Sequence, residues 1–168
     1  MALSKYYLNK RVVPVIHEAL EVHGGAGYIE DCILPRAYRE APVNGIWEGA
    51  GNVISLDVLR ALRKTPLSGE VFLAELRGVR GADARMDALT ADLEQMILNE
   101  PLAEENARYL VERMAVALQA ACLIRHAPAA HADAFCATRV AQGGGRAFGT
   151  LPAGTNFAGI IGRAAPAA

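Results

Sequence analysis

Apolar residues in this sequence recur every three or four positions, and this spacing limits the possible folds more than any other feature. Two clear stripes are Met86, Leu89, Leu93 and Met96, and Leu110, Met114, Leu118 and Ala121. No stretch alternates apolar and polar residues with the period of two that a half-buried strand requires. Aromatic residues, which strands favour, make up only 6% of the chain. The sequence therefore predicts an all-α fold, an antiparallel helical bundle with short loops.

The same spacing, with glycine and proline as stop signals, predicts further helices over residues 4–23, 34–41, 52–63, 103–126 and 130–142. The first should end at Gly24 and Gly25, and Pro14 predicts a kink within it. The helix over 52–63 has so many apolar residues, including Val53, that we expect it to be largely buried. Cys122, on the apolar side of the helix over 103–126, is expected to be an inert core residue.

Charge divides the chain into three parts. Residues 1–64 are nearly neutral, residues 65–112 are acidic and residues 113–168 are basic. The segment 64–69 contains Pro66 and Gly69 between two helical patterns, and it predicts a boundary there. We therefore expect one domain over residues 1–64 and an additional helical region over 65–168.

Composition excludes several classes of protein. A net charge of −1 argues against a strongly basic nucleic-acid arm, and three cysteines are too few for a disulfide scaffold. No uncharged helical run reaches the roughly 18–20 residues that span a bilayer. The four histidines lack the spacing of metal ligands, so no metal site is expected. These features predict a cytoplasmic protein without membrane contact.

The segment from His23 to Asn52 is the most unusual part of the chain. It reads HGGAGYIED, then LPRAYREAP, then NGIWEGAGN, and it holds six of the 16 glycines. Glycine allows the backbone to approach a ligand closely. Glu48 follows the only tryptophan, Trp47, and a carboxylate desolvated by such a neighbour can act as a general base. Taken alone, the pattern is more often that of an ordinary solvated glutamate in a glycine-rich loop.

The order of these motifs resembles the C-terminal helical domain of flavin-dependent acyl-CoA dehydrogenases, and within them the AidB-type (alkylation-response) branch. The resemblance is strong over about residues 5–62 and continues weakly through AFCATRV and AFGTLP. It implies a C-terminal half of that helical domain plus extra C-terminal helices. It also implies a parent with an N-terminal helical domain, a β-domain and a C-terminal bundle around FAD, assembled as a homo-oligomer.

The resemblance also implies roles for individual residues. Glu48 stands where the family has the base that removes the proton α to the thioester carbonyl of an acyl-CoA. Gly24 and Gly25 match a turn whose backbone approaches the FAD of a neighbouring subunit. Around a flavin, Glu21 stands in place of a usual glutamine, Ala50 in place of a threonine and Asn52 in place of a glutamine. Gly24 and Gly25 also suit a plain helix end.

Two groups of arginines have structural alternatives. Arg36 and Arg39 could hold phosphates or carboxylates, and we expect them instead to pair with Glu30, Asp31 or Glu40. The C-terminal third carries Arg125, Arg139, Arg146 and Arg163 against a single acid, Asp133. In the AidB-type branch the corresponding region is associated with DNA, although a solvated helix face or a subunit contact explains the same excess.

The functional expectation is a C-terminal fragment of an FAD-dependent acyl-CoA dehydrogenase-like protein. The full-length parent would oxidise an acyl-CoA thioester at its α,β bond, while the isolated chain would be inactive and would lack FAD. The alternative is a non-catalytic helical module that oligomerises or binds DNA. Because the helices of residues 1–64 have few bundle partners, we also expect the chain to self-associate.

Overall fold

The computed structural model describes residues 1–99, 103–141 and 147–164. Every regular element within these ranges is helical, and they contain no strand, so the predicted all-α class is confirmed. None of the helices in the described part of the chain combines the length and apolar character needed to cross a membrane.

The chain divides into two compact units. The N-terminal unit comprises Met1–Lys64 and Leu102–Glu112, and the C-terminal unit comprises Thr65–Pro101 and Arg113–Ala168. Only Thr65 separates the helices on either side of the first division. Pro66 lies in the first turn of the following helix, where its missing N–H has no helical partner to lose, and Gly69 is buried within that helix. The proline and glycine at positions 66 and 69 therefore lie at the start of a helix rather than in a loop.

The helices of the N-terminal unit form and flank the unusual segment from His23 to Asn52. They are α1 Ala2–His23, α2 Gly25–Tyr28, α3 Leu34–Glu40, a 3₁₀ helix Ala41–Gly45 and α4 Gly51–Lys64. A second 3₁₀ turn, Glu104–Asn106, precedes a later helix. α1 packs against α2, α3, α4 and the first 3₁₀ helix, yet Tyr6 is its single buried residue. Most of the apolar surface of this 22-residue helix is therefore only partly covered.

The helices of the C-terminal unit enclose its apolar core. They are α5 Pro66–Arg77, α6 Ala84–Glu94 continued by a π turn Gln95–Asn99, α7 Ala107–His126, α8 Ala129–Phe135 continued by a π turn Cys136–Val140, and α9 Phe157–Ala164. α7 begins within the residues of the N-terminal unit. Leu73, Met86 and Leu93 are fully buried, and so are Ala117 and Ala120 of α7. Small side chains on α7 let neighbouring helices pack closely around it.

Most of the predicted helices are present, with four corrections. Val53 is 52% exposed, so the helix over 52–63 buries one face rather than most of its surface. Met96 is half-buried in the π turn after α6, while Met86, Leu89 and Leu93 of the same stripe are buried. Cys122 is exposed rather than part of the core. The predicted helix over 130–142 becomes α8 and a π turn, and its last residue lies outside the described residues.

Candidate functional site

The loop between the first 3₁₀ helix and α4 carries Glu48, the predicted base. The N–H groups of Ile46 and Trp47 both donate to the carbonyl of Val43, and this turn reverses the chain. Glu48 has φ 54, which makes it the one non-glycine residue of the described chain with a left-handed backbone. L-residues rarely adopt this conformation because Cβ then crowds the following carbonyl. The loop therefore holds Glu48 in a strained position.

Lys5 of α1 anchors this loop. Its Nζ donates to the carbonyl of Trp47 and, at 3.5 Å, to the carbonyl of Gly49. The same Nζ lies 3.8 Å from Oε2 of Glu48. The Lys5 side chain is only 19% exposed, whereas the Glu48 side chain is 82% exposed. α1 therefore fixes the backbone on both sides of Glu48 and leaves its carboxylate facing outward.

The expected desolvation of Glu48 against Trp47 does not occur in this chain. Trp47 is itself 54% exposed, and so cannot shield the carboxylate from water. The two residues occupy successive positions on the loop, and both are exposed. A site in which Glu48 is desolvated needs further protein or a ligand above this loop.

The glycine turn at the end of α1 has a different structure at each glycine. Gly24 has φ 59, and its N–H donates to the carbonyl of Glu21 at 3.0 Å, which closes the helix. Side chains at Gly24 or Gly25 would meet no atom within 4 Å, so the backbone is open on this side. Gly27 is the opposite case, because a Cβ there would lie 2.6 Å from the carbonyl oxygen of Leu20. The expectation of a glycine helix end is thus confirmed.

A groove of about 690 Å³ opens beside this turn within the N-terminal unit. Its lining includes the predicted cofactor residues Glu21 and Gly24, together with His17, Tyr28 and Tyr38. The rings of His17 and Tyr38 lie 6.0 Å apart, and Nε2 of His17 lies 3.9 Å from Oε1 of Glu21. The groove therefore combines aromatic walls with a negative charge beside an open glycine backbone.

An ion pair between Glu30 and Arg39 forms one edge of the groove. Nη1 and Nη2 of Arg39 donate to the two carboxylate oxygens of Glu30 at 2.7 and 3.0 Å. These hydrogen bonds lower the pKa of the Glu30 carboxyl below its ordinary value. The pairing expected for Arg39 is confirmed. The guanidinium of Arg39 is therefore already paired with a carboxylate and is not an unpaired cation that could bind a phosphate.

The structure separates the predicted site residues into two groups. Glu21 and Gly24 line the groove at the end of α1. Glu48 lies beside Lys5, near the beginning of α1. With a rise of about 1.5 Å per residue, Lys5 and Gly24 are about 28 Å apart along the helix. Their roles as catalytic and cofactor-binding residues stay predictions.

Ala50 and Asn52, the remaining predicted residues, lie on either side of the first residue of α4, and both are exposed. The carbonyl of Ala50 accepts the N–H of Ile54, and that of Asn52 accepts the hydroxyl of Ser55. These bonds use the backbone carbonyls of both residues, and the Asn52 side chain takes no part in them.

The sequence analysis missed Lys5 and the aromatic lining of the groove. Lys5 lies 42 residues before Trp47, and no local pattern connects the two. His17 and Tyr38 are similarly distant along the chain, and neither belongs to a spacing motif. Only the packing of α1 against the following helices brings them to the site.

The C-terminal unit contains fewer candidate functional residues than the N-terminal unit. No group of three or more potential metal ligands occurs in the part of the chain that the structure describes. Among the C-terminal arginines, Arg125 pairs with Glu75 and Arg163 lies on α9. Arg146 lies outside the described residues. Cys136 is buried, and burial raises the pKa of its thiol to about 11.

Comparison with known proteins places these features in a family. Residues 1–63 match the family model described as acyl-CoA dehydrogenase, C-terminal domain. The chain is 38% identical over 142 residues to the putative acyl-CoA dehydrogenase AidB of Escherichia coli (strain K12), covering 84% of this chain and 26% of that protein. It is 54% identical over 56 residues to acyl-CoA dehydrogenase family member 11 of Caenorhabditis elegans, covering 33% of this chain and 9% of that protein.

A third relative shows how far the similarity extends. The probable acyl-CoA dehydrogenase of Bacillus subtilis (strain 168) is 28% identical over 114 residues, which is 67% of this chain and 18% of that protein. The chain thus spans about a quarter or less of the length of these relatives.

Proposed function

Because residues 1–63 belong to the acyl-CoA dehydrogenase C-terminal domain family, we propose that this chain is the C-terminal part of an FAD-dependent, AidB-type acyl-CoA dehydrogenase-like protein. In the full-length protein, Glu48 removes the proton α to the thioester carbonyl of an acyl-CoA. FAD, when bound, accepts the electrons released as the α,β bond is oxidised. The chain on its own is inactive, since its Glu48 carboxylate is 82% exposed to water.

The main support for this proposal is the backbone conformation of Glu48. A left-handed residue other than glycine is less stable by about 1–2 kcal/mol, and such residues concentrate at functional sites. The flanking Gly49 also has a positive φ, of 111°. Three interactions of Lys5 hold this segment in place. A glutamate without a catalytic role would not require a strained backbone or the contacts of Lys5. A general base, by contrast, must be held in a defined position.

The turn at Gly24 and Gly25 supports a cofactor role. Its open backbone permits the close approach that a flavin nucleotide requires, and the groove beside it offers about 690 Å³ of space. Glu21 opposes such a ligand electrostatically, because a carboxylate beside a pyrophosphate repels it. His17, 3.9 Å from Glu21, offsets that repulsion when it is protonated. The turn therefore fits the edge of a cofactor site rather than a complete one.

The distance between the two groups supports assembly into an oligomer. A base must lie about 3–3.5 Å from the atom on which it acts, and the reacting part of the cofactor must be equally close to the substrate. Since Lys5, which contacts Glu48, lies about 28 Å from Gly24 along α1, one chain would contribute Glu48 to its own site and the glycine turn to that of a neighbour. The proposed protein is accordingly a homo-oligomer.

A second candidate function is a non-catalytic helical module that oligomerises. Leu8, Val15 and Val22 of α1 are 61%, 49% and 85% exposed, and an apolar surface of this kind favours association. Flavin bleaching by an acyl-CoA in a full-length protein that contains this chain separates the candidates, because only the first requires that reaction. We expect the isolated chain to be colourless in either case, because Glu48 and Trp47 are exposed to water. Stoichiometric FAD in an unreconstituted sample would contradict this expectation.

The decisive experiment uses a full-length protein that contains this chain. Glu48→Gln keeps the shape of the side chain and removes its basicity, so bleaching of the flavin by an acyl-CoA should slow by ~10²–10⁴-fold. FAD content should stay unchanged. The exposed Glu105→Gln serves as the matched control and should bleach at the wild-type rate. Equal rates for wild type and Glu48→Gln would exclude Glu48 as the base.

A further inference from the structure

Two polar side chains on one face of α1 bind the loop that precedes α4. Lys5 and Asn9 lie four residues apart, so they are neighbours on the same side of the helix. Nζ of Lys5 donates to the carbonyls of Trp47 and Gly49. Nδ2 of Asn9 donates to the carbonyl of Asn44. We call these two side chains the α1 clamp, and they hold the backbone at three carbonyls, two of which flank the candidate base.

The α1 clamp lies in the closely packed part of α1. Tyr6, next to Lys5, is the buried residue of this helix, and its hydroxyl accepts a hydrogen bond from Nε of Arg108 at 3.3 Å. The cavity between α1 and the loop, which Lys5 and Asn9 help to line, has a volume of only about 10 Å³. That volume is at the lower limit for one water molecule. The loop therefore has little room to shift towards α1.

The loop requires these contacts because its backbone is strained. Glu48 has φ 54 and Gly49 has φ 111. A left-handed conformation is unfavourable for an L-residue, and such strain persists only where the surrounding structure imposes it. A loop without outside contacts would relax, and the carboxylate would move with its backbone. The α1 clamp supplies the constraint on both sides of Glu48.

The Lys5 ammonium leaves the Glu48 carboxylate available. The two groups lie 3.8 Å apart, which is beyond hydrogen-bonding distance. Nζ donates instead to the two flanking carbonyls. The Lys5 side chain is half-buried while the Glu48 side chain is exposed. The carboxylate oxygens are therefore able to accept a proton from a substrate.

We propose that Lys5 and Asn9 are positioning residues for proton abstraction by Glu48, and that they act on the rate of this step rather than on substrate binding. The inference rests on the proposed function, since it requires Glu48 to be the base. Both side chains bind backbone carbonyls and so influence the reaction only through the loop. A base must lie about 3–3.5 Å from the atom on which it acts, and a misplacement of about 1 Å can slow a reaction by ~10²-fold.

The first test measures flavin bleaching by an acyl-CoA in an FAD-bound, full-length protein that contains this chain. Lys5→Met keeps the length of the side chain and removes its donors. We expect the rate at saturating acyl-CoA to fall ~10–100-fold, while the FAD content and the acyl-CoA concentration that gives half the maximal rate change by less than ~3-fold. Lys64→Met, at the exposed end of α4, is the matched control and should bleach at the wild-type rate.

Two further variants separate positioning from a loss of structure. Lys5→Arg keeps donors for both carbonyls and should stay within ~10-fold of the wild-type rate. Asn9→Leu removes only the bond to Asn44, which is more distant from Glu48 along the chain, and should slow bleaching less than Lys5→Met does. If Lys5→Met fails to retain FAD, the same comparison is made with Asn9→Leu. A wild-type rate at saturating acyl-CoA in the variant tested would overturn the proposal.

The second test needs neither FAD nor substrate. In the isolated chain, the N–H groups of Ile46 and Trp47 donate to the carbonyl of Val43. We expect hydrogen exchange of these two amides, followed by NMR, to be at least ~10-fold faster in Lys5→Met than in wild type, and unchanged in Lys64→Met. Equal exchange in Lys5→Met and wild type would show that α1 does not hold the loop.

The outcomes for the α1 clamp and for Glu48 are separable. Wild-type bleaching by Glu48→Gln would exclude Glu48 as the base and with it the proposed function. Slow bleaching by Glu48→Gln together with wild-type bleaching by Lys5→Met would overturn the α1 clamp alone. A loss of FAD that accounts for the whole fall in rate of both Lys5→Met and Asn9→Leu would also overturn it, because their role would then be structural.

Discussion

Nζ of Lys5 and Oε2 of Glu48 lie 3.8 Å apart, although the two residues are more than forty positions apart in the chain. The same ammonium group donates to the carbonyls of Trp47 and Gly49, on either side of the glutamate. Lys5 thus binds both the backbone and the side chain of the loop. It positions Glu48 without burying it.

Replacing Lys5 by methionine should loosen this loop. Methionine keeps the length of the side chain but cannot donate hydrogen bonds, so the carbonyls of Trp47 and Gly49 lose their partner. We expect lower fluorescence anisotropy of Trp47, the single tryptophan of the chain, and faster quenching by acrylamide. Lys64→Met, at the exposed end of α4, is the control and should leave both signals unchanged.

Glu48→Gly should make the isolated chain more stable. Glycine adopts the φ of 54° without the crowding of Cβ, and the gain exceeds the entropy that glycine adds to the unfolded chain. The expected increase in the free energy of unfolding, from urea titration, is ~0.5–1 kcal/mol. Glu112→Gly, at an exposed position inside α7, should instead lower it by about 1 kcal/mol. A loss of stability in both variants would show that Glu48 is not strained.

The glycines after α1 should differ sharply in their tolerance of alanine. A Cβ at Gly27 would approach the carbonyl oxygen of Leu20 to 2.6 Å, and backbone atoms cannot easily move aside. Gly27→Ala should therefore destabilise the chain by about 1–3 kcal/mol. Gly25→Ala meets no neighbouring atom and should change stability by less than about 0.5 kcal/mol. Thermal unfolding of the two variants provides the comparison.

The three cysteines should differ in reactivity. Cys32 and Cys122 are exposed and should react with a thiol reagent at pH 8 within minutes, while buried Cys136 should react only after unfolding. Rapid titration of all three thiols in the folded chain would contradict the burial of Cys136.

Stability should also fall in alkaline solution because of Cys136. Burial raises the pKa of its thiol to about 11, above that of an unfolded cysteine, so the unfolded chain releases its proton first. The contribution is present below about pH 8.5 and is lost as the pH rises towards 11. Cys136→Ala should reduce this part of the alkaline slope.

The sequence by itself determined the helical class, the ends of α1 and α3 to within about two residues, and the pairing of Arg39 with a nearby acid. These features depend on local periodicity, on glycine and proline, and on charges within about ten residues of each other. The motif from His23 to Asn52 likewise identified the family, because that information lies in the order of the residues.

Only the tertiary structure decided which side of each helix is covered. It left Glu48 and Cys122 exposed, buried Cys136, and brought Lys5 to the loop around Trp47. Periodicity shows that a helix has an apolar face but not whether a neighbour packs against it. Three residues of α1 illustrate the reason: their spacing resembles that of a core helix, yet Leu8, Val15 and Val22 are exposed. Burial depends on partners far along the chain or on another chain, and local sequence does not encode their positions.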